Sequence, residues 1–143
     1  ISACLVGSEM CIRDRGENAK SALISRSFAE MTRYAKKFKA DKNTLFGLSG
    51  LGDLILTCSS KNSRNTQFGI KLASSKYDNF LDLLKSQEVT EGYYTVKAVY
   101  NISQKKNIDM PIMESVYNIL YKQHDLKEEL SNLLSRPITE EKI

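Results

Sequence analysis

The sequence predicts an all-α protein, a multi-helix bundle of about seven or eight helices. Apolar residues recur at intervals of three and four along most of the 143 residues, which is the spacing of one helix face. Asparagine, serine or aspartate stands where several of these segments begin, as helix N-caps do. No alternating run of β-branched residues competes with these patterns, so a sheet is not favoured.

The first predicted helix is long and runs from Asn18 to Lys39. Its apolar positions lie three and four residues apart and form one stripe: Ile24, Phe28, Met31, Ala35 and Phe38. Asp41 is placed to cap a short helix that carries Leu45 and Phe46.

A glycine-rich stretch comes next, with Gly47, Gly50 and Gly52 leading into the apolar run 54–56. This run fits a strand or a helix on its own pattern. Residues 59–62 read as a loop, after which Asn62 or Ser63 can cap a helix that reaches about Ala73.

The second half of the chain contains four further helical segments. Asp78 begins a short helix, residues 88–92 form a connection, and helical spacing then returns with the valines and isoleucine at 96, 99 and 102. Pro111 suits the first turn of the next helix. Asp125 followed by Glu128 predicts a capping box for the last helix, which ends at residues 136–137.

The first fifteen residues differ in character from the rest. Residues 5–14, Leu-Val-Gly-Ser-Glu-Met-Cys-Ile-Arg-Asp, resemble the translation of a transposase adapter used to prepare sequencing libraries. A segment of this kind does not belong to the native fold. We therefore expect residues 1–15 to be a non-native leader and 16–143 to be one helical domain; a native amphipathic start is the alternative.

The amino-acid composition limits the classes of protein to which this chain can belong. Apolar residues make up 41% and charged residues 27% of the chain, which is typical of a soluble globular domain, and no apolar run approaches the length of a membrane helix. The net charge of +4 is dispersed, which does not favour nucleic-acid binding. Cys4 and Cys11 lie in the leader, so no disulfide framework can be drawn within 16–143 and a cytoplasmic location is expected.

Chemistry is concentrated in residues 47–65. The glycines do not follow a predicted strand, so a dinucleotide-binding loop is a weak interpretation, and close approach of a backbone or ligand is preferred. Ser63, Arg64 and Asn65 offer a hydroxyl, a guanidinium and an amide at a predicted helix amino terminus, which is the outline of a phosphate site. Simple capping by Ser63 beside a solvated arginine is the alternative that these residues leave open.

Six motifs, taken together, resemble the carboxyl-terminal, substrate-binding domain of bacterial-type NAD(P)-dependent glycerol-3-phosphate dehydrogenases. They are Gly16-x-Asn18-Ala-Lys-Ser-Ala-Leu-Ile24, Gly50-Leu-Gly-Asp-Leu54, Ser63-Arg-Asn65, Val89-x-Glu91-Gly92, Met110-Pro-Ile112 and Val116-Tyr-x-Ile-Leu-Tyr121. The resemblance implies an enzyme that reduces dihydroxyacetone phosphate reversibly with NADH or NADPH and supplies glycerol phosphate for phospholipid synthesis. It also implies an all-helical domain and a Rossmann domain upstream of Gly16. A homodimer is compatible with the resemblance.

By that resemblance, Asp53, Ser63, Arg64 and Asn65 are substrate-binding positions. Arg64 also touches the cofactor, and Val89 and Glu91 line the cofactor's far side. No catalytic residue is expected in this chain, because the family's general-base lysine lies upstream of Gly16. Thr90 departs from the family, which usually carries valine there, and this weakens the cofactor assignment.

Two other classes of function remain open from the residues alone. A free-standing helical module could use the basic surface to bind a polyanion, with steep salt dependence. A related hydroxyacid dehydrogenase domain would lack the phosphate-binding residues 63–65. No metal site is expected, because His124 has no second ligand nearby, and the tyrosines 93, 94, 117 and 121 are expected to be packing residues.

Overall fold

A computed structural model describes residues 10–74 and 91–137. Within these ranges it contains seven α-helices, one π-helical segment and no strand, which confirms the all-α prediction. The elements are α1 (Met10–Lys37), α2 (Lys42–Phe46), the π-helical segment (Leu48–Gly52), α3 (Asp53–Ser59), α4 (Arg64–Ser74), α5 (Glu91–Lys106), α6 (Pro111–Lys122) and α7 (Leu126–Ser135). The short helix predicted at Asp78 and the site residue Val89 lie outside the described residues. None of the described helices is both long and apolar enough to cross a membrane.

Local capping signals place several helix ends where the sequence predicted them. Asp41 accepts a hydrogen bond from Asn43 N–H at 2.9 Å, and Asp125 accepts one from Glu128 N–H at 2.9 Å. Pro111 occupies the first turn of α6. The run 54–56, left open between strand and helix, is helical. Two boundaries differ: α1 begins at Met10 rather than Asn18, and α5 begins at Glu91, inside the predicted connection.

Two apolar clusters hold the helices together. The larger cluster joins α1, α4, α5, α6 and α7 through Leu23, Phe68, Val96, Val116 and Leu130 among others. The smaller one joins α1 to α2, the π-helical segment and α3 through Phe28, Leu54 and Cys58, with Ile24, Met31, Leu45 and Leu51 packed against them. The smaller cluster therefore positions α3, which carries one of the predicted site residues.

Three side chains have surroundings that the sequence patterns did not indicate. Phe38 is 46% exposed rather than inward-facing, because α1 ends one residue before it. Cys58 is disulfide-bonded. It is the single cysteine of residues 16–143, so this bond does not contradict the prediction that no disulfide framework lies within that range. His124 is exposed, and its Nδ1 lies 2.8 Å from Glu129 Oε1.

The tyrosines pack as predicted, with one exception. The rings of Tyr100 and Tyr117 stack with centroids 3.8 Å apart, and the Tyr121 hydroxyl donates to the Tyr93 carbonyl at 2.8 Å. Tyr93, Tyr117 and Tyr121 all lie against the larger cluster. Tyr94, by contrast, is 67% exposed.

A buried carboxylate caps α6 from another helix. The Oε1 of Glu30 accepts the Ile112 N–H at 2.6 Å, and its Oε2 accepts the Met113 N–H at 3.1 Å. Met110 provides no side-chain cap, so Glu30 satisfies two amide groups that would otherwise be buried without partners. Burial raises the pKa of Glu30 from 4.5 to about 7, although these two hydrogen bonds and the charge of Arg33 oppose the rise.

We expect Glu30→Gln to change how stability depends on pH. The folded-state pKa lies above the unfolded value, so the carboxyl group's contribution to stability is fully present below pH 4.5 and is lost as the pH rises through about 7. The difference in free energy of unfolding between wild type and Glu30→Gln should therefore fall by about 3 kcal/mol across this window. Urea unfolding at a series of pH values measures it. Glu114→Gln, at an exposed position of α6, is the control, and a pH-independent difference for Glu30→Gln would contradict the prediction.

Candidate functional site

The phosphate-binding residues predicted from the sequence lie at the amino terminus of α4. Ser63 precedes this helix, and its Oγ accepts a hydrogen bond from Thr66 N–H at 3.4 Å. Arg64 is the first residue of α4 and is exposed, while Asn65 is half-buried. The prediction that Ser63 caps this helix is confirmed. Its hydroxyl therefore satisfies one of the amide groups that a helix amino terminus leaves without a helical partner.

Two other amide groups at this helix end remain available to a ligand. In the described part of the chain, the backbone N–H groups of Arg64 and Asn65 make no hydrogen bond. The Arg64 guanidinium likewise makes no ion pair or hydrogen bond with any residue of 10–74 or 91–137. Two free amides, the positive end of the helix dipole and an unpaired guanidinium together suit a phosphate dianion.

Thr66 connects this helix end to α3, although it belongs to none of the sequence motifs. Its side chain is 3% exposed, and its Oγ1 donates to the Thr57 carbonyl at 3.1 Å. Its backbone N–H meets Ser63 Oγ, so one residue fixes both the cap and the neighbouring helix. The only signal in the sequence is a threonine three residues after a capping serine, which does not reveal the partner in α3.

The π-helical segment immediately precedes Asp53. The Gly52 N–H donates to the Gly47 carbonyl at 3.3 Å, and the Asp53 N–H reaches the Leu48 carbonyl, each five residues back. π-helical turns of this kind are rare and occur frequently at functional sites. Gly50 is buried against α2, where an added Cβ would lie 2.1 Å from the Leu45 carbonyl oxygen. The preferred interpretation of the glycines, close approach of a backbone, is thus confirmed at Gly50.

Asp53 is exposed as the first residue of α3. Its Oδ1 lies 3.5 Å from the Thr57 hydroxyl, one turn further along the same helix. Asp53 and Arg64 are not ion-paired with each other. Asp53 is the first residue of α3, whereas Arg64 is the first residue of α4, after the turn 60–63. The two residues therefore begin two consecutive helices.

Glu91 is exposed at the start of α5. Its carbonyl accepts a hydrogen bond from Thr95 Oγ1 at 2.9 Å, while no hydrogen bond or ion pair within the described ranges links it to residues 63–65. The geometry thus assembles Ser63, Arg64 and Asn65 at the start of α4, while Asp53 begins α3 and Glu91 begins α5. No group of three or more metal-ligating side chains occurs among the described residues.

Comparison with known proteins connects this geometry to a family. The model for the NAD-dependent glycerol-3-phosphate dehydrogenase C-terminus matches residues 1–131. The chain is 46% identical over 127 residues to a glycerol-3-phosphate dehydrogenase (NAD(P)+) of Ligilactobacillus salivarius, which covers 88% of this chain and 37% of that protein. It is 43% identical over 122 residues to the enzyme of the same name from Staphylococcus carnosus, covering 85% and 36% respectively.

The fold agrees with these sequence matches. A crystal structure of glycerol-3-phosphate dehydrogenase from Coxiella burnetii superposes with a TM-score of 0.83 at 34% identity, over 94% of this chain and 41% of that one. The chain thus spans well under half the length of these relatives. The family model covers most of the chain and the fold matches throughout, so the chain belongs to the family of NAD-dependent glycerol-3-phosphate dehydrogenase C-terminal domains.

Proposed function

We propose that this chain is the substrate-binding part of an enzyme that interconverts dihydroxyacetone phosphate and sn-glycerol 3-phosphate with NAD(P)H in the cytoplasm, and so feeds phospholipid synthesis. The observation that carries the proposal is at the start of α4, where the Arg64 guanidinium and two backbone amides have no partner among the described residues. A phosphate group is the part of this substrate that such an arrangement suits. The names of the relatives support the same reaction.

In this proposal, different residues bind different parts of the substrate. Arg64, Ser63 and Asn65 bind the phosphate, with the guanidinium donating two parallel hydrogen bonds. Asp53, at the start of α3, accepts a hydrogen bond from a substrate hydroxyl or orients the ammonium group of a lysine that lies outside this chain. Neither role requires Asp53 to contact Arg64, which agrees with the lack of an ion pair between them among the described residues.

The nicotinamide cofactor has fewer candidate ligands here. NAD(P)H supplies the hydride when it is bound. Arg64 is exposed, so its guanidinium can reach a cofactor as well as a substrate phosphate, and Glu91 offers an exposed carboxylate to a nicotinamide-side hydroxyl or amide. Val89 is assigned to the cofactor site as well, on the sequence resemblance alone. The phosphates of the cofactor are assigned to an amino-terminal Rossmann domain, and a homodimer is compatible with this arrangement.

The proposal also includes the domain boundary. Residues 16–143 form the helical substrate-binding domain, and residues 1–15 are an adapter-derived leader. The six family motifs all lie after residue 15, which supports this division, whereas the family model starts at residue 1 and α1 begins at Met10.

The decisive experiment compares this chain with a chimera. The chimera joins the amino-terminal part of the Ligilactobacillus salivarius enzyme, up to the matched segment, to residues 16–143 of this chain. We expect the chain alone to show no oxidation of NADH or NADPH with dihydroxyacetone phosphate, because hydride transfer needs a bound nicotinamide and a positioned base. The chimera should turn over. An inactive but folded chimera, or turnover by the isolated chain free of host enzyme, would contradict the proposal.

A polyanion-binding module is the second candidate, and the same proteins test it. Binding of this chain to duplex DNA that weakens steeply with salt would favour that function. No observation in the described structure favours it over the phosphate site, since the exposed lysines are distributed over several helices.

A further inference from the structure

Five exposed lysines surround an exposed phenylalanine where the carboxyl ends of α1 and α5 meet. Together they form what we call the lysine-rich surface: Lys36, Lys37, Phe38 and Lys39 at the end of α1, and Lys105 and Lys106 at the end of α5. None of the five lysines forms an ion pair with any residue in the described part of the chain. Their positive charges are therefore available to a partner.

Contacts between α1 and the end of α5 hold this surface together. The Nε of Arg33 donates to the Asp109 carbonyl at 2.8 Å, and the Arg33 guanidinium lies 4.0 Å from the Asp109 carboxylate. The ammonium group of Lys106 lies over the Phe38 ring, 5.2 Å from its centre. The same ring packs against Tyr34 at a centroid distance of 4.9 Å. Lysines that are far apart in the sequence thus lie on one surface.

The backbone already closes both helix ends without the lysine side chains. Lys39 and Asn107 adopt the left-handed conformation, with φ of 56° and 50°. At each end, the following N–H donates to a carbonyl five residues back, at 3.0 and 2.9 Å. Lysines in a last turn also offset the helix dipole. That effect explains the lysines one helix at a time, but it does not explain the exposed ring of Phe38.

The carboxylates closest in sequence to these helix ends already have partners. Asp41 accepts the Asn43 N–H and caps α2. Asp109 faces Arg33, and Glu30 is buried, where it caps α6. These groups do not neutralise the five lysines, so the lysine-rich surface has an excess of positive charge.

The surface of a membrane that contains anionic lipids suits this combination of side chains. Lysines are attracted to the lipid phosphates, while an exposed aromatic ring can enter the boundary between headgroups and acyl chains. A nucleic acid would instead stack its bases on a free ring face, and here Lys106 and Tyr34 both pack against the Phe38 ring. We infer that the lysine-rich surface binds anionic lipid headgroups and attaches the protein peripherally to a membrane. This inference does not depend on the proposed reaction.

Co-sedimentation with lipid vesicles tests the inference on the full chain. Vesicles of equal parts phosphatidylglycerol and phosphatidylcholine should bind the chain at about 0.1 M salt, at which the screening length is about 10 Å. Vesicles of phosphatidylcholine alone should not bind it. Combining Lys37→Gln, Lys39→Gln and Lys106→Gln should weaken binding by about 100-fold, because each lysine near an anionic lipid surface contributes about fivefold.

A matched variant removes the same charge from other helices and turns. It combines Lys61→Gln, Lys97→Gln and Lys127→Gln, all at exposed positions outside the lysine-rich surface. Both triple variants have the same net charge, so a general attraction between a basic protein and an anionic vesicle would weaken equally in the two. We expect the matched variant to lose less than about threefold, because distant charges are screened.

An introduced tryptophan provides a readout of the phenylalanine itself, because the chain contains no tryptophan. The emission of Phe38→Trp should shift to the blue when phosphatidylglycerol vesicles are added, as expected when an indole leaves water for the lipid boundary. Tyr94→Trp is the control, at an exposed position of α5 that lies outside this surface. Its emission should not change. Lysines that only offset the helix dipoles would leave both spectra unchanged.

Three results would overturn the inference. Equal vesicle binding by the two triple variants would show that the lysine-rich surface is not used. Binding to a single-stranded oligonucleotide that the Lys37, Lys39 and Lys106 substitutions abolish, without any vesicle binding, would assign the surface to nucleic acid. Vesicle binding by the chain that disappears in the chimera would show that the amino-terminal part covers the surface. Turnover of the chimera in lipid-free buffer tests the proposed function separately.

Discussion

Replacement of Arg64 by lysine in the chimera is expected to lower kcat/KM by about 10- to 150-fold, which corresponds to about 1.5–3 kcal/mol for a lost charged contact. Lysine keeps the positive charge but cannot offer two parallel hydrogen bonds to one phosphate. The guanidinium has no partner in the described structure, so the substitution removes no internal contact. Its free energy of unfolding should therefore stay close to that of the wild type.

Two control variants make this result interpretable. Lys61→Ala removes an exposed charge from the turn just before α4 and should change the kinetic constants by less than about twofold, because exposed charges contribute little. Ser63→Ala removes the helix cap and should cost about 1 kcal/mol of stability. Steady-state kinetics and urea unfolding on the three variants separate binding from folding. Near-wild-type kinetics in Arg64→Lys would remove this residue from the site.

Signals that act within a single helix were readable from the sequence. Asp41, Asp125 and Ser63 each accept a hydrogen bond from an amide two or three residues further along, so short patterns contain both partners. The same local logic located the candidate phosphate site, because a helix amino terminus and its first side chains are contiguous. Local patterns could not show whether the run 54–56 is a strand or a helix, because a short apolar run fits the periodicity of both.

Contacts between residues that are far apart in the chain could not be predicted from the sequence. Glu30 caps a helix 82 residues away, and its place on the long amphipathic helix gave no indication that its carboxylate would be buried. The Thr66 hydroxyl finds its acceptor in a different helix. Cys58 forms a disulfide that no spacing rule indicated. In each case the partner is determined by packing, which a single sequence without tertiary information does not specify.

The π-helical segment also depends on a tertiary contact, and this leads to the second large expected effect, the substitution Gly50→Ala. An added methyl group would lie 2.1 Å from the Leu45 carbonyl oxygen and 2.7 Å from its Cα and carbonyl carbon, all backbone atoms that cannot rotate away. Relief would require α2 to move off the segment that leads to Asp53. We expect a loss of about 3 kcal/mol in the free energy of unfolding, at the upper end for overpacking.

Gly52→Ala is the matched control, two residues away in the same segment. Its backbone is already helical, with φ −61° and ψ −47°, and its nearest neighbour is the flexible side chain of Leu48 at 3.5 Å. Alanine there should leave stability unchanged or raise it by about 0.5–1 kcal/mol, because glycine loses more conformational freedom on folding. Urea unfolding followed by circular dichroism compares the two variants. If both behave alike, the glycine at position 50 is not required by the close approach of α2, and the π-helical turn before Asp53 must have another cause.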